Sequence, residues 1–262
     1  MNTKQLALIK KDIRGITSNK PVFMVMLIVP LALTIVLPSI LVFVTALVPD
    51  AASDFQALLN MLPITEREGN QDQIILRLVL NKIMPAFFLM IPIMASSVMA
   101  ASSFVGEKEK HTLETLLYSP LSLKQLFQSK ILAGFSVGMM VSFISFAAMM
   151  IVLEIEMLFL TGAGIMPDIS WLIVMLLIAP AISLVAIGIT VRGSAKAQTI
   201  EEAQQRAVFL IFPIIALVIG QFTGVILVST WLLLGMGVVI ALLATLLMKG
   251  AVGKFTYEKL LR

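Results

Sequence analysis

The chain has 262 residues, of which 59% are hydrophobic and only 13% are charged, with a net charge of +4 and no cysteine. This composition lies outside the range of soluble domains, and without cysteine the chain has no disulfides, thiol catalysis or zinc–cysteine sites. One histidine, His111, is too few for a histidine-based metal cluster. We expect no metal site, and the modest basic excess gives no reason to expect nucleic-acid binding.

Residues 3–20 predict an amphipathic helix lying in the membrane interface, because apolar and basic residues fall on opposite sides at helical spacing. The alternative is a solvated basic tail. The apolar side consists of Leu6, Ile9, Ile13 and Ile16, and the basic side of Lys4, Lys11 and Arg14.

Five apolar runs without a charged residue then predict six membrane-spanning helices. A helix needs about 20 apolar residues to cross a bilayer, and in lipid a run of this kind must be helical to satisfy its backbone polar groups. The last run is long enough for two spans joined by a turn. The expected spans are residues 22–48, 83–105, 131–153, 171–191, 208–228 and 231–248. The predicted fold is all-α, with residues 1–262 forming one polytopic transmembrane domain.

The basic residues predict which side of the membrane each connecting segment faces. Sixteen of the 19 Lys and Arg residues lie in four segments that fall on one side if six spans alternate, namely 1–21, 106–130, 192–207 and 249–262. Because Lys and Arg are retained on the cytoplasmic side, both termini are expected to be cytoplasmic.

Small residues four positions apart in two spans predict close helix packing, although such pairs also arise by chance in membrane helices. They are Gly134 with Gly138, and Gly220 with Gly224. Gln221 is the most polar group deep in a span. It is expected to hydrogen-bond a neighbouring helix, and contact with a substrate is the alternative.

Loop 106–130 is much longer than a simple connection needs, and it is patterned. Three leucines recur at i, i+3 and i+4 from Leu113 to Leu117, and Ser122 with Gln125 has the spacing of a capping box. We predict a short amphipathic helix on the cytoplasmic surface, suited to receiving force from a soluble partner. The alternative is a surface helix whose leucines lie among lipid headgroups. Glu107 and Glu114 are expected to be exposed charges.

The same loop resembles the motif of type-2 ABC transporter permeases, especially the sodium-export-permease-like branch. The matching residues are Glu107-Lys108-Glu109, Thr112-Leu113-Glu114, Leu116-Leu117 and Pro120. The resemblance extends to the six spans and to polar loop 192–207, where Thr199 and Glu202 have capping-box spacing. It implies that loop 106–130 carries a coupling helix that docks on an ATP-binding subunit. The docking residues would be Glu107, Thr112, Leu113, Glu114, Leu117 and Pro120.

No phosphate-binding loop of the form G-x-x-x-x-G-K-[ST] is present. The nearest segment, residues 248–255, has Met248 in place of the first glycine and Phe255 in place of Ser or Thr. The chain is therefore not expected to be an enzyme or to hold a cofactor. ATP and magnesium would be bound by the partner subunit.

Three function classes fit a six-span protein: an ABC permease, an ion-coupled secondary transporter or channel, and a non-transporting scaffold. Ion-coupled carriers place ionisable residues inside the membrane, and these apolar runs have none. A scaffold does not need the patterned loop. We predict the permease subunit of an ATP-driven ABC exporter, paired with a second copy or a paralogue in the lipid bilayer of a plasma or inner membrane, in a prokaryote. Spans without charge favour a hydrophobic or amphipathic substrate.

Overall fold

The computed structural model describes residues 3–48, 59, 71–109, 121–162, 164, 166–194, 197–223, 225–226 and 228–253. These residues are nearly all helical and contain no strand. Six helical segments among them are long and apolar enough to cross a membrane, which agrees with the prediction. The spans are Met26–Thr45, Gln73–Glu107, Leu123–Leu160, Ile169–Ser194, Ile200–Phe222 and Thr230–Gly250.

Helix α1 (Thr3–Ser18) precedes helix α2 (Lys20–Leu47), which contains span 1. The predicted amphipathic character of α1 is present, and Leu8, Ile9 and Ile16 on its apolar face are buried. Leu6, which was predicted on this face, is 54% exposed, and Leu8 was not predicted there. This face packs mainly against span 3. Burial of three aliphatic side chains, each contributing roughly 1.5–3 kcal/mol when fully buried, attaches α1 firmly to the bundle.

Span 2 is built from α3 (Gln71–Leu78), a π-helical turn (Val79–Ile83), α4 (Met84–Phe88) and α5 (Met90–Glu109). Span 3 is the single helix α6 (Leu123–Thr161). The predicted capping box starts α6: the Ser122 hydroxyl accepts from the Gln125 amide, and the Gln125 side chain accepts from the Ser122 amide. Gly162, at a φ of 68°, ends α6 in the left-handed conformation that glycine adopts without strain.

Span 4 comprises α7 (Ile169–Ile173), a second π-helical turn (Val174–Ile178) and α8 (Ala179–Ser194). Span 5 comprises α9 (Ile200–Val208) and α10 (Ile211–Phe222). Span 6 lies in α11 (Thr230–Gly253).

Span 2 is the centre of the bundle. In its most apolar stretch 78% of the residues are buried, against 61% in span 4 and 17% in span 6. Span 2 packs against spans 3, 4 and 5, span 6 packs against span 4, and span 1 packs against span 3. Any displacement of span 2 must therefore be accommodated by these three neighbours.

Spans 2 and 3 approach each other closely at Gly138. A Cβ atom at this position would lie 2.0 Å from the Ser96 hydroxyl oxygen, so a larger residue requires the helices to move. Gly134 faces Ile187 of span 4, where an added Cβ would lie 3.5 Å from a methyl group. At Gly220 an added Cβ would make only an ordinary contact with Ile226. Gly224 lies outside the described residues.

The helices extend further than the apolar runs of the sequence. Span 2 begins at Gln73 rather than at residue 83, span 3 runs from Leu123 to Leu160, and span 5 covers Ile200–Phe222. The apolar runs carry no charge, but the expectation of spans without charged residues is wrong for the full helices, which include Lys82, Lys130 and Glu154 among other charged residues. A helix that leaves the apolar layer continues for as long as its backbone hydrogen bonds and side-chain contacts support it.

Candidate functional site

A group of polar side chains lies where α1, the end of span 2 and the start of span 3 meet. We call it the charge cluster, and the end of the bundle where it lies the basic end. The cluster consists of Lys11 and Asp12 from α1, Ser103 and Glu107 from α5, and Lys130 from α6.

Lys130 is the centre of the charge cluster, with a side chain only 1% exposed. Its ammonium nitrogen lies 3.2 Å from Glu107 Oε2 and 3.6 Å from Asp12 Oδ2. It also donates a hydrogen bond to the Ser103 carbonyl oxygen. The Ser103 hydroxyl donates to Asp12 Oδ2 at 2.6 Å, and Lys11 donates to Glu107 Oε1 at 2.5 Å.

Burial of these charges is tolerated because they compensate one another. The side chains of Asp12 and Glu107 are 5% and 11% exposed, and with Lys11 and Lys130 they form a group of two anions and two cations. A buried ion without a partner costs several kcal/mol. The Lys130 ammonium also lies 5.5 Å from the centre of the Phe104 ring, where the π electrons attract a cation.

The charge cluster closes loop 106–130 at its base. Glu107 and Lys130 stand at opposite ends of that loop, so their ion pair fixes the separation and orientation of its two ends, and Asp12 attaches α1 to the same point. Glu107 is therefore a buried, paired carboxylate, and the prediction that it is an exposed charge is wrong. The other proposed docking residues, Thr112, Leu113, Glu114, Leu117 and Pro120, lie outside the described residues.

The opposite end of the bundle has its own polar contacts, also centred on span 2. Lys82 donates to Asp168 Oδ2 at 2.9 Å, and the Asn81 side chain donates to the Met166 carbonyl and accepts from the Asp168 amide. Burial raises the pKa of Asp168, but hydrogen bonds from Lys82, the Ile169 amide and Ser170, with the charge of Lys82, outweigh it. The pKa of Asp168 is lowered as a result.

Two further contacts at this end satisfy carbonyls of the π-helical turn. Pro85 has no N–H, so in the i→i+5 pattern of a π turn the Leu80 carbonyl lacks its backbone donor. The buried Trp171 indole donates to that carbonyl at 3.1 Å. The amide of Gln221, which is fully buried, donates to the Lys82 carbonyl at 3.2 Å. Gln221 thus binds spans 5 and 2 together.

The match to known families covers most of the chain. A family model described as "ABC-2 family transporter protein" matches residues 65–248. The chain belongs to this family. Comparison with curated proteins and with solved structures gives no match. The protein is thus a multi-pass transport permease subunit of the ABC-2 family, and the matched range includes spans 2–6 and loop 106–130 but not α1 or span 1.

In this ABC-2 permease the two polar loops singled out in the sequence meet the same end of span 2. Helix α9 starts at Thr199, whose hydroxyl accepts from the Glu202 amide at 3.3 Å, while Glu202 accepts from the Gln198 amide at 2.9 Å. Ile200 then packs beside Gly106, and Ala197 and Ala203 are buried in the same small cluster. Segment 197–208 therefore lies beside the base of loop 106–130.

Sequence reasoning missed Lys11, Asp12, Ser103 and Lys130 as members of this candidate site. Asp12 is the only acidic residue among the first 48 and interrupts an otherwise basic segment, and Lys130 directly precedes an apolar run. Both features were visible, but their pairing joins residues more than 100 positions apart, which a sequence pattern cannot reveal. Among the described residues no group of His, Asp or Glu side chains is arranged to hold a metal ion.

Proposed function

We propose that this ABC-2 permease is the membrane subunit of an ATP-driven exporter, coupled through loop 106–130 to a separate subunit that binds and hydrolyses ATP and magnesium. Family membership supports the transport role. The main observation in favour of the coupling role is the buried Glu107–Lys130 pair. This pair holds the two ends of a 25-residue loop together at a fixed distance. A loop that only connected two spans would not need such a pair.

Force applied to loop 106–130 would pass directly into span 2 and span 3, since the loop joins them. Span 2 is central and packs against spans 3 and 4, so tilting it changes the packing of half the bundle. Closure of two ATP-binding subunits would thereby move an inward-facing path outward. This mechanism requires two permease chains, identical or paralogous, because six spans provide half of such a path.

The distribution of basic residues supports an orientation with both termini and loop 106–130 in the cytoplasm. The proposed location is the plasma or inner membrane of a prokaryotic cell. A cysteine introduced at Asp168 should react with a membrane-impermeant maleimide added to intact cells, and one at Lys124 should not. The chain has no native cysteine, so labelling has no background. Labelling at Lys124 alone would reverse the orientation.

Charge-free apolar runs support a hydrophobic or amphipathic substrate. The motif between Glu107 and Pro120 supports placement in the sodium-export-permease-like branch. Longer sodium-export permeases carry a much larger external region between their first two spans than segment 49–82, which argues against sodium as the substrate. Gln221 remains a candidate for the substrate path, with its bond to the Lys82 carbonyl as the competing role.

The coupling role can be tested with an ATPase subunit co-purified with this chain. The chain alone should hydrolyse no ATP, and Leu113→Asp or Leu117→Asp should prevent co-purification. A carboxylate stranded in such a contact costs several kcal/mol. At about 1.4 kcal/mol per tenfold, this loss weakens a micromolar complex by roughly 10²–10³-fold, which leaves binding too weak to survive co-purification. Gln128→Asp, which adds the same charge at an exposed position of α6, is the control and should bind normally.

Normal binding and ATP turnover by the Leu117→Asp complex would contradict the coupling role of the loop. An isolated chain that hydrolyses ATP would contradict the proposal that a separate subunit hydrolyses ATP. Retention of transport without any ATPase subunit would favour the ion-coupled class, and no transport in any assembly would favour a scaffold.

A further inference from the structure

Helix α1 is held at the base of loop 106–130 by two independent kinds of contact. Its apolar residues Leu8, Ile9 and Ile16 are buried, and its two central charged residues, Lys11 and Asp12, reach into the charge cluster. Apolar packing alone is non-directional and tolerates sliding. The hydrogen-bonded charges define one position along the helix, because Asp12 must stay beside Lys130 and Ser103.

We propose that Lys130 is a positioning residue that fixes α1 to both ends of loop 106–130, so that α1, the end of span 2 and the start of span 3 move as one body. Lys130 suits this role because its ammonium group is shared by carboxylates from two different elements, Asp12 of α1 and Glu107 of span 2. The inference that these three elements move with the ATPase subunit rests on the proposed function. The inference that Lys130 holds the three elements together is independent of that function.

Loss of the Asp12 charge and loss of the Lys130 charge are expected to have different effects on these contacts. Removal of the Asp12 charge loosens α1, which keeps its apolar contacts and the more exposed Lys11–Glu107 pair, and it leaves the Glu107–Lys130 pair across the loop intact. Removal of the Lys130 charge leaves two buried carboxylates, Asp12 and Glu107, with the largely exposed Lys11 as their other cation in the cluster, so the contact of α1 with span 3 and the pair across the loop are both weakened. The two variants therefore release different parts of the assembly, and this difference separates a positioning role from a general loss of stability.

Whether Lys130 holds the three elements together can be measured on the full chain in lipid nanodiscs without any partner. Spin labels on cysteines at exposed positions Lys4 and Gln128 report the distance between α1 and span 3, and labels at Gln128 and Gln205 report the distance between span 3 and α9. Asp12→Asn should shift or broaden the first distance distribution and leave the second unchanged. Lys130→Met should change both, and Lys124→Met, at an exposed position of the same helix, should change neither.

An unchanged Lys4–Gln128 distance in the folded Asp12→Asn protein would overturn the proposal. If Lys130→Met does not yield folded protein, Asp12→Asn still decides the question, because it retains the Glu107–Lys130 pair. Equal changes in both distances for Asp12→Asn would also overturn it, since that result indicates general loosening.

The joint movement of α1, the end of span 2 and the start of span 3 is tested in the complex with an ATPase subunit, trapped with ADP and vanadate. A third label at exposed Leu246 of span 6 serves as the reference. On trapping, the Lys4–Leu246 and Gln128–Leu246 distances should shift together while Lys4–Gln128 stays constant. In Asp12→Asn only Gln128–Leu246 should shift. A wild-type α1 that does not follow Gln128 would overturn this joint movement.

Absence of any nucleotide-dependent shift would contradict both the proposed function and the joint movement of α1, span 2 and span 3. The distances measured without a partner would still test whether Lys130 fixes α1 to the ends of loop 106–130.

Discussion

The two ends of the bundle hold span 2 to its neighbours by different physical means. At the basic end the contacts are between charged side chains, with Lys130 only 1% exposed and two carboxylates almost as buried. At the opposite end the buried donors Trp171 and Gln221 point at backbone carbonyls of the π-helical turn. The ion pair described there, Lys82–Asp168, is 28% and 35% exposed.

The two kinds of contact are expected to respond differently to the loss of a single side chain. Backbone carbonyls of a π turn are part of span 2 itself, so the bonds from Trp171 and Gln221 set how the spans pack in a fixed arrangement. A charge cluster shared by three elements holds them in one relative position and is strongly weakened if a single charge is lost. The basic end is therefore the more sensitive of the two, and graded substitutions should reveal the difference.

The largest effect is expected for Lys130→Met at the basic end. The substitution leaves Asp12 and Glu107 buried with only the largely exposed Lys11 of the cluster as a cation, so stability should fall by up to about 3–5 kcal/mol. Unfolding by SDS titration in mixed micelles measures this loss. Lys124→Met, at an exposed position of the same helix, should stay within about 0.5 kcal/mol of wild type. Equal stability of the two variants would mean that the cluster is not stabilised by Lys130.

The next effect lies between the two ends, at the crossing of spans 2 and 3. Gly138→Ala places a methyl group against Ser96, 2.0 Å from its hydroxyl oxygen before relaxation, and overpacking of this kind costs about 1–3 kcal/mol. Gly235→Ala is the control, since an added Cβ there meets no atom within 4 Å. The same SDS titration compares them, and a Gly138→Ala protein as stable as Gly235→Ala would show that the crossing can open freely.

At the opposite end, Gln221→Leu removes the donor to the Lys82 carbonyl while keeping side-chain volume. The expected loss is about 0.5–1.5 kcal/mol, because one buried hydrogen bond between spans 5 and 2 is lost, while the side-chain oxygen that is removed has no hydrogen-bond partner in the described part of the chain. Gln205→Leu, at an exposed position of α9, is the matched control. A loss as large as that of Lys130→Met would contradict the difference between the ends.

The smallest effect is expected for Asp168→Asn, which keeps the N-terminal cap of α7 and removes only the charge. A partly exposed pair contributes about 0–1 kcal/mol. Because the pKa of Asp168 is lowered in the folded protein, this contribution is fully present above the unfolded pKa and is lost as pH falls through the folded one.

The stability difference between wild type and Asp168→Asn should therefore be constant above about pH 5 and should shrink only below the ordinary Asp value of about 4. Thermal unfolding in detergent across this pH range measures it. Disappearance of the difference near neutral pH would show that the pKa of Asp168 is not lowered.

Much of the fold followed from local patterns. Apolar runs placed all six spans, since length and hydropathy alone decide whether a helix can cross a bilayer. The amphipathic α1 and the caps at Ser122 and Thr199 followed from spacing of a few residues. Helix ends were less predictable: Lys130 and Glu154 lie inside α6, because contacts outside the apolar layer extend a helix beyond its hydrophobic run.

The sequence by itself determined the class of the protein, its six spans and the loop that marks it as a permease, because each depends on residues close together in the chain. Only the tertiary structure decided that Asp12, Glu107 and Lys130 form one buried group, and that Gln221 and Trp171 satisfy carbonyls of a π turn. The physical reason is that compensation of a buried charge or an unpaired carbonyl depends on distance in space, and the partners here come from different helices.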